Sequence, residues 1–291
     1  MTKIFKLLAL FVLAFTVTFC SDDDEPTTKD LTLNISGLED LGADYEYEGW
    51  LILADGPVTT GRFSVDGSGT LSQTNFTLNI ETLAAAEKFV LTIEPKVGDD
   101  PAPSDVHILA GDFVGNSSAL TIGHGAALGN DFSTASGKYI LATPTDSDGT
   151  NEKSGVWFLD NSSGSPVAGL NLPTLPAGWK YEGWAVTGGT PLTSGTFTSV
   201  TGADEFNDFS GTMGSPPFPG EDFLRNAPSG ITFPLDLSGG KAVISIEPDP
   251  DNSPAPFLLK PLVGDIPTDV MAHTVYTIGQ NLNFPTGTAS R

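Results

Sequence analysis

One cysteine, three histidines and thirteen lysines and arginines are all that 291 residues hold of three common functional side-chain classes. A single cysteine excludes an internal disulfide framework, so covalent cross-links do not hold this fold together. The histidines, His107, His124 and His273, are too few and too scattered for a zinc site, and no H-E-x-x-H motif occurs. Against thirty-six aspartates and glutamates the scarcity of cations gives a net charge of -23. Nucleic acid is thereby excluded as a partner, since phosphates are neutralised with Lys and Arg. G-x-S-x-G and G-x-x-x-x-G-K-[ST] are also absent, which removes the nucleophile elbow and the nucleotide phosphate loop. Thirty-three glycines and twenty-two prolines leave little room for helices, with Thr82 to Lys88 the best candidate.

The place of the one cysteine is informative. Lys3 and Lys6 precede an apolar run from Leu7 to Phe19, which suits a signal h-region rather than a membrane span of ~20 residues. Cys20 follows it, then Ser21 and the acids Asp22, Asp23, Asp24 and Glu25. This resembles a bacterial lipoprotein signal, although Phe19 stands where Gly, Ala or Ser usually precedes the cysteine. An ordinary cleaved secretory signal with an incidental cysteine is the alternative. The acidic run resembles the surface-export signal of lipoproteins in Bacteroidota-like bacteria. The resemblance implies a signal peptide over 1–19, acylation at Cys20, an acidic tether over 20–30, and a lipid-anchored, surface-exposed protein of the outer membrane. Loss of 1–19 removes two lysines and leaves a net charge of -25 on 272 residues. No later apolar stretch reaches the ~18 residues of a membrane helix.

The rest of the chain is organised by a duplication. Tyr47-Glu48-Gly49-Trp50 returns as Tyr181-Glu182-Gly183-Trp184, and Gly61-x-Phe63 as Gly195-x-Phe197, both 134 residues on. Val90 to Pro95, ending in Glu94-Pro95, returns 153 residues on as Val243 to Pro248, ending in Glu247-Pro248. The difference of 19 places an insertion within Ala203 to Arg225. Two copies are too few for a solenoid.

Short apolar runs ending in Asp, Gly and Pro, such as Trp50 to Leu53 and Gly183 to Val186, read as strands. Phe76, Leu78 and Ile80 alternate with polar residues as a half-buried strand requires. Lys138 to Thr143 and Gly155 to Leu159 read as a hairpin around Asp146-Ser147-Asp148-Gly149. The expected fold is all-β, with two tandem antiparallel β-sandwich-like units over 31–136 and 137–291.

The order Tyr-x-Gly-Trp, Gly-x-Phe, Glu-Pro, present twice, resembles the extracytoplasmic C-terminal domain of anti-sigma-K factors. That resemblance implies a sensor or binding domain alone, because no cytoplasmic sigma-gripping segment or joining membrane span accompanies it in this sequence.

Candidate chemical sites are few. Asp146-x-Asp148-Gly149-x-Asn151-Glu152 has oxygens at alternate positions, as calcium loops do, but lacks the full spacing; a solvated hairpin tip is the competing reading. Asp99-Asp100 and Asp249-x-Asp251-Asn252 follow the repeated Glu-Pro and read equally as Asx-rich turns. No other cofactor is indicated. Tyr47, Trp50, Tyr181 and Trp184 offer flat faces for sugars or prolines, yet core packing is expected of both tryptophans. Alternation puts Tyr47 and Trp50 on opposite faces of their strand. The insertion, with Phe206, Phe209, Phe218 and Phe223, is the candidate binding loop, a lid over the second sheet being the alternative. On this reading its deletion removes binding and leaves stability nearly unchanged. The expected function is non-catalytic binding or sensing of an extracellular protein or glycan. A carboxylate-based polysaccharide hydrolase and a structural or adhesive module are the rivals.

Overall fold

The computed structural model describes residues 26–250 and 253–291; the signal, Cys20 and the acidic run before residue 26 lie outside them, as do Asp251 and Asn252. The first part of the chain forms β1 (Thr28–Ser36), β2 (Tyr45–Leu53), β3 (Gly56–Phe63), β4 (Asn75–Asn79), helix α1 (Ile80–Ala85), β5 (Lys88–Pro95), β6 (His107–Val114) and β7 (Ser117–Thr121). There follow β8 (Ser136–Leu141), β9 (Gly155–Trp157), β10 (Leu159–Asp160), β11 (Val167–Ala168), β12 (Leu170–Asn171) and β13 (Trp179–Thr187). The remainder is β14 (Thr190–Phe197), β15 (Gly220–Asp222), β16 (Lys241–Pro248), β17 (Leu262–Asp265), β18 (Tyr276–Gln280) and β19 (Thr286–Ser290).

Two large antiparallel sheets result, as the all-β, two-unit reading requires. Their orders are β3-β2-β5-β6-β7-β19-β1-β4 and β14-β13-β16-β17-β18-β8-β9-β15, with β12 beside β8 and a small β10-β11 ribbon. Each sheet curls until its end strands meet. Phe63 of β3 lies 6.2 Å from Phe76 of β4 between ring centroids, and β14 approaches β15.

The duplication is visible atom by atom. Both tyrosines stack on the Phe of the next strand at 5.6 Å, Tyr47 on Phe63 and Tyr181 on Phe197. Their hydroxyls donate to the carbonyls of Glu39 and Pro173. On the opposite face Trp50 Nε1 donates to Thr92 Oγ1 (2.9 Å) and Trp184 Nε1 to Ser245 Oγ (2.7 Å). All four rings are buried, so they are packing rather than sugar platforms. A β-bulge falls at Gly49/Trp50 and again at Gly183/Trp184. Glycine is needed there because a Cβ would collide with Thr60 Oγ1 and Phe89 in one copy and with Ser194 Oγ and Phe158 in the other.

The boundary between 31–136 and 137–291 needs correction. β19 leaves the second part of the chain and fills the sixth position of the first sheet, pairing Thr32–Ser36 of β1 on one side and Ser117–Thr121 of β7 on the other. In the second sheet the sixth position belongs to β8, which follows β7 as β19 follows β18. Each copy thus hands the strand after its last hairpin to the other sheet. Without β19 the edges of β1 and β7 would present unpaired backbone groups. One connected apolar core runs through both units, from Leu31 to Ala289.

The helix begins two residues earlier and ends three residues earlier than expected. Asn79 caps it, accepting from the N–H groups of Glu81 and Thr82. Ile80 is therefore helical rather than the end of a strand. The Glu87 N–H then bonds Ile52 O, which draws Lys88 into β5.

Candidate functional site

The insertion does not present its aromatics as a recognition surface. Phe223 is fully buried, and Phe209 packs on it (6.0 Å), on Phe206 (4.9 Å) and on Phe233 (5.3 Å). Phe218 covers a small outer cluster containing Trp157 and Ile140. Phe223 is thus corrected from binding candidate to core, and Phe206, Phe209 and Phe218 are half-buried packing residues. The segment is structural because it contains β15, whose pairing with β9 extends the second sheet.

Behind these rings lie three acids. Asp222 accepts from the Thr145 N–H (2.9 Å), from Thr145 Oγ1 and from Trp157 Nε1 (2.7 Å). Glu221 is fully buried; its Oε1 accepts from Ser210 Oγ and the Asp222 N–H, while Oε2 has no hydrogen-bond partner. Burial pushes the Glu221 carboxyl up to about 8, reinforced by Asp204 and Asp222. Asp204 is raised to about 6, also by burial, although its two oxygens accept from the N–H groups of Phe206 and Gly220. These carboxyls are committed to internal bonds that pin the insertion. A small cavity of 230 Å³ beside Asp204 and Trp157 adjoins them.

The other sequence candidates are engaged by groups of the protein, in their own loops or across to other elements. Asp146 accepts from the Asp148 N–H and from Asn151 Nδ2, and Asp148 accepts from Thr150, so the hairpin tip is an Asx-rich turn. Asp99 pairs with Arg62, Asp100 accepts from Ala102 N–H, and Asp249 faces Lys180 at 3.6 Å. His107 contacts Ala126 O, His124 faces Asp112 and His273 faces Glu152. Among the described residues no group of three or more His, Cys, Asp and Glu is placed to hold a metal ion.

A larger cavity lies where the two units meet. It measures 640 Å³, within the ~300–1,000 Å³ typical of ligand sites. Its walls come from both copies of the Glu-Pro turn, through Pro95 and Pro248, and from Leu41, Tyr45, Val106 and Phe257. Gly178, at φ +81°, lets the second unit approach the first here; a Cβ would fall 2.6 Å from Asp105 O. The turns are held alike: Glu94 Oε1 accepts from the Ser104 N–H and Glu247 Oε1 from the Phe257 N–H, both at 2.9 Å. Glu39, Asp40, Asp105 and Asp249 contribute carboxylates beside the fully buried Glu247, and among the described residues no Lys, Arg or His lines the cleft. Burial raises the Glu39 carboxyl, an effect opposed by Lys260 behind the wall. The repeated Glu-Pro was legible in the sequence, but Glu39, Asp40 and Asp105 were not, since exposed-looking acids are common in so acidic a chain.

Comparison with protein-family models, with curated proteins and with solved structures finds no match.

Proposed function

We propose that this chain is a non-catalytic cell-envelope lipoprotein that binds or senses an extracytoplasmic partner in the cleft between its two copies. The observation that carries the reading is the 640 Å³ cleft at the junction, walled by the same Glu-Pro turn from each copy. A duplicated scaffold that spends both equivalent turns on one cavity resembles a binding device, and the motif order resembles the outer domain of an anti-sigma-K factor. The lipoprotein signal at Cys20 supports an anchor at the outer surface. Several acyl chains hold a protein on a bilayer far more firmly than one.

Two measurements test this. Metabolic labelling with a fatty acid should mark the full chain and fail on Cys20→Ala; equal labelling would remove the anchor. A photocrosslinker at Asp105, on the cleft, should trap a specific partner on intact cells, and one at the exposed Val114 at the far end of β6 should not. Equal trapping at both positions, or none at Asp105, would set the cleft aside.

A further inference from the structure

The slot that β19 fills in the first sheet takes its strand from outside its own unit. β19 is held there by main-chain pairing on both edges, with Thr286 to Ser290 facing Ser36 to Thr32 of β1 and Thr121 to Ser117 of β7. Its apolar contribution is small. Ala289 is its one buried side chain, whereas β8, the strand exchanged the other way, buries Tyr139, Ile140 and Leu141. The connections differ in the same sense. Residues 122–135 before β8 bury Ile122, Leu128 and Phe132, but residues 281–285 before β19 bury only Pro285, with Leu282 exposed and Phe284 half-buried against Phe132. Of the two exchanged strands, β19 is therefore the one that can leave with little loss to the core.

The slot is nevertheless selective. Gly287 lies where a Cβ would fall 2.5 Å from Asn34 O, and Ala289 fills the one buried position. Arg291 donates to the carbonyls of Leu83, Ala86 and Gly115, with its guanidinium 4.2 Å over Phe113. Gly-x-Ala-x-Arg occurs in this sequence at 287–291 alone. An empty slot would leave the facing edges of β1 and β7 unpaired, a template that draws in another strand. The strand that meets all three requirements is β19, whether from the same chain or from a second copy. We propose that β19 exchanges between two copies of this chain, each lending its strand to the first sheet of the other, to form a closed dimer. Reciprocal exchange keeps every bond of the slot and changes only the path of residues 281–285. Main-chain pairing supplies the affinity, and Gly287, Ala289 and Arg291 supply the selection, as in other strand-addition interfaces.

The test mixes two full chains, both with Cys20→Ala, one carrying Asn34→Cys on β1 and the other Thr288→Cys on β19. These positions are exposed register partners. They come within disulfide reach only when the β19 of the second chain lies in the slot of the first. Held together at high concentration in a thiol redox buffer, the two chains should give a disulfide-linked heterodimer. Gly287→Val on the chain that carries Thr288→Cys should lower its yield at least about tenfold. Val97→Cys, exposed on the loop after β5, should give no heterodimer in place of Asn34→Cys. The chain with Cys20→Ala alone, concentrated under reducing conditions, should form a dimer that outlasts dilution, because each strand must leave its slot before the copies part. A monomer at every concentration, no heterodimer from the Asn34→Cys and Thr288→Cys pair, or an equal yield from Val97→Cys or the Gly287→Val chain overturns the proposal.

Discussion

Glu221 shows how far a side chain's surroundings can depart from its sequence context. It sits in an insertion rich in Asp, Glu, Pro and Gly, where every acid looks solvated, and yet it is fully buried with a raised carboxyl pKa. The tryptophans behave oppositely. Alternation places Trp50 and Trp184 on the face opposite Tyr47 and Tyr181, and the burial expected of both tryptophans is found, but the main core takes the tyrosines. Each indole is buried on the other face, where it finds the Thr or Ser that its neighbouring strand supplies. Phe209 and Phe223 were not legible, because no periodic pattern in a Pro-rich segment says which ring turns inward. The folded-state pKa of Glu221, about 8, lies above its ordinary 4.5. The folded chain therefore keeps a proton that the unfolded chain releases, so this contribution is complete below about pH 4.5 and is lost as pH rises to about 8. Asp204 acts in the same sense between 3.8 and about 6. Denaturant titrations at pH 4 to 8 should show stability falling by on the order of 2–4 kcal/mol. Glu221→Gln, which keeps the neutral form, should flatten much of that slope; an unchanged slope would mean that Glu221 is ionised in the folded protein.

At the scale of elements, the insertion is where expectation and structure part. A loop added to one of two copies looks dispensable, and long surface loops carry a small entropic cost. Here, however, residues 203–225 supply β15, the buried Phe223 and the Asp222 that Trp157 and Thr145 bond. In the first sheet the corresponding end position belongs to β4, which precedes α1 in the uninterrupted copy. The insertion has therefore become the second sheet's closing strand. Deleting residues 203–225 should lower stability by more than about 3 kcal/mol, the scale of removing one buried aromatic, as read from a chemical denaturation curve. A deletion that leaves the curve in place would restore the insertion to the rank of a free loop. The strands themselves were largely legible from apolar runs and turn residues, and the helix was misplaced only at its ends, because Asn79 and Ile52 fix them from outside the helix.

For the whole molecule, the sequence repeat implied two self-sufficient units, and the fold joins them instead. Pattern matching locates strands but not the partner to which a strand is given, because β8 and β19 present the same short, alternating faces to either sheet. The exchange brings the two Glu-Pro turns together at one cleft and makes one core of two. Arg291 secures the exchanged end, its guanidinium lying 4.2 Å over Phe113 and donating to Ala86 O (2.7 Å). Hydrogen exchange on a chain that stops after Pro285 tests this joining most directly. Loss of protection is predicted over Thr32–Ser36 and Ser117–Thr121, with recovery when a peptide of residues 286–291 is added. Full protection of both strands in the shortened chain would contradict it.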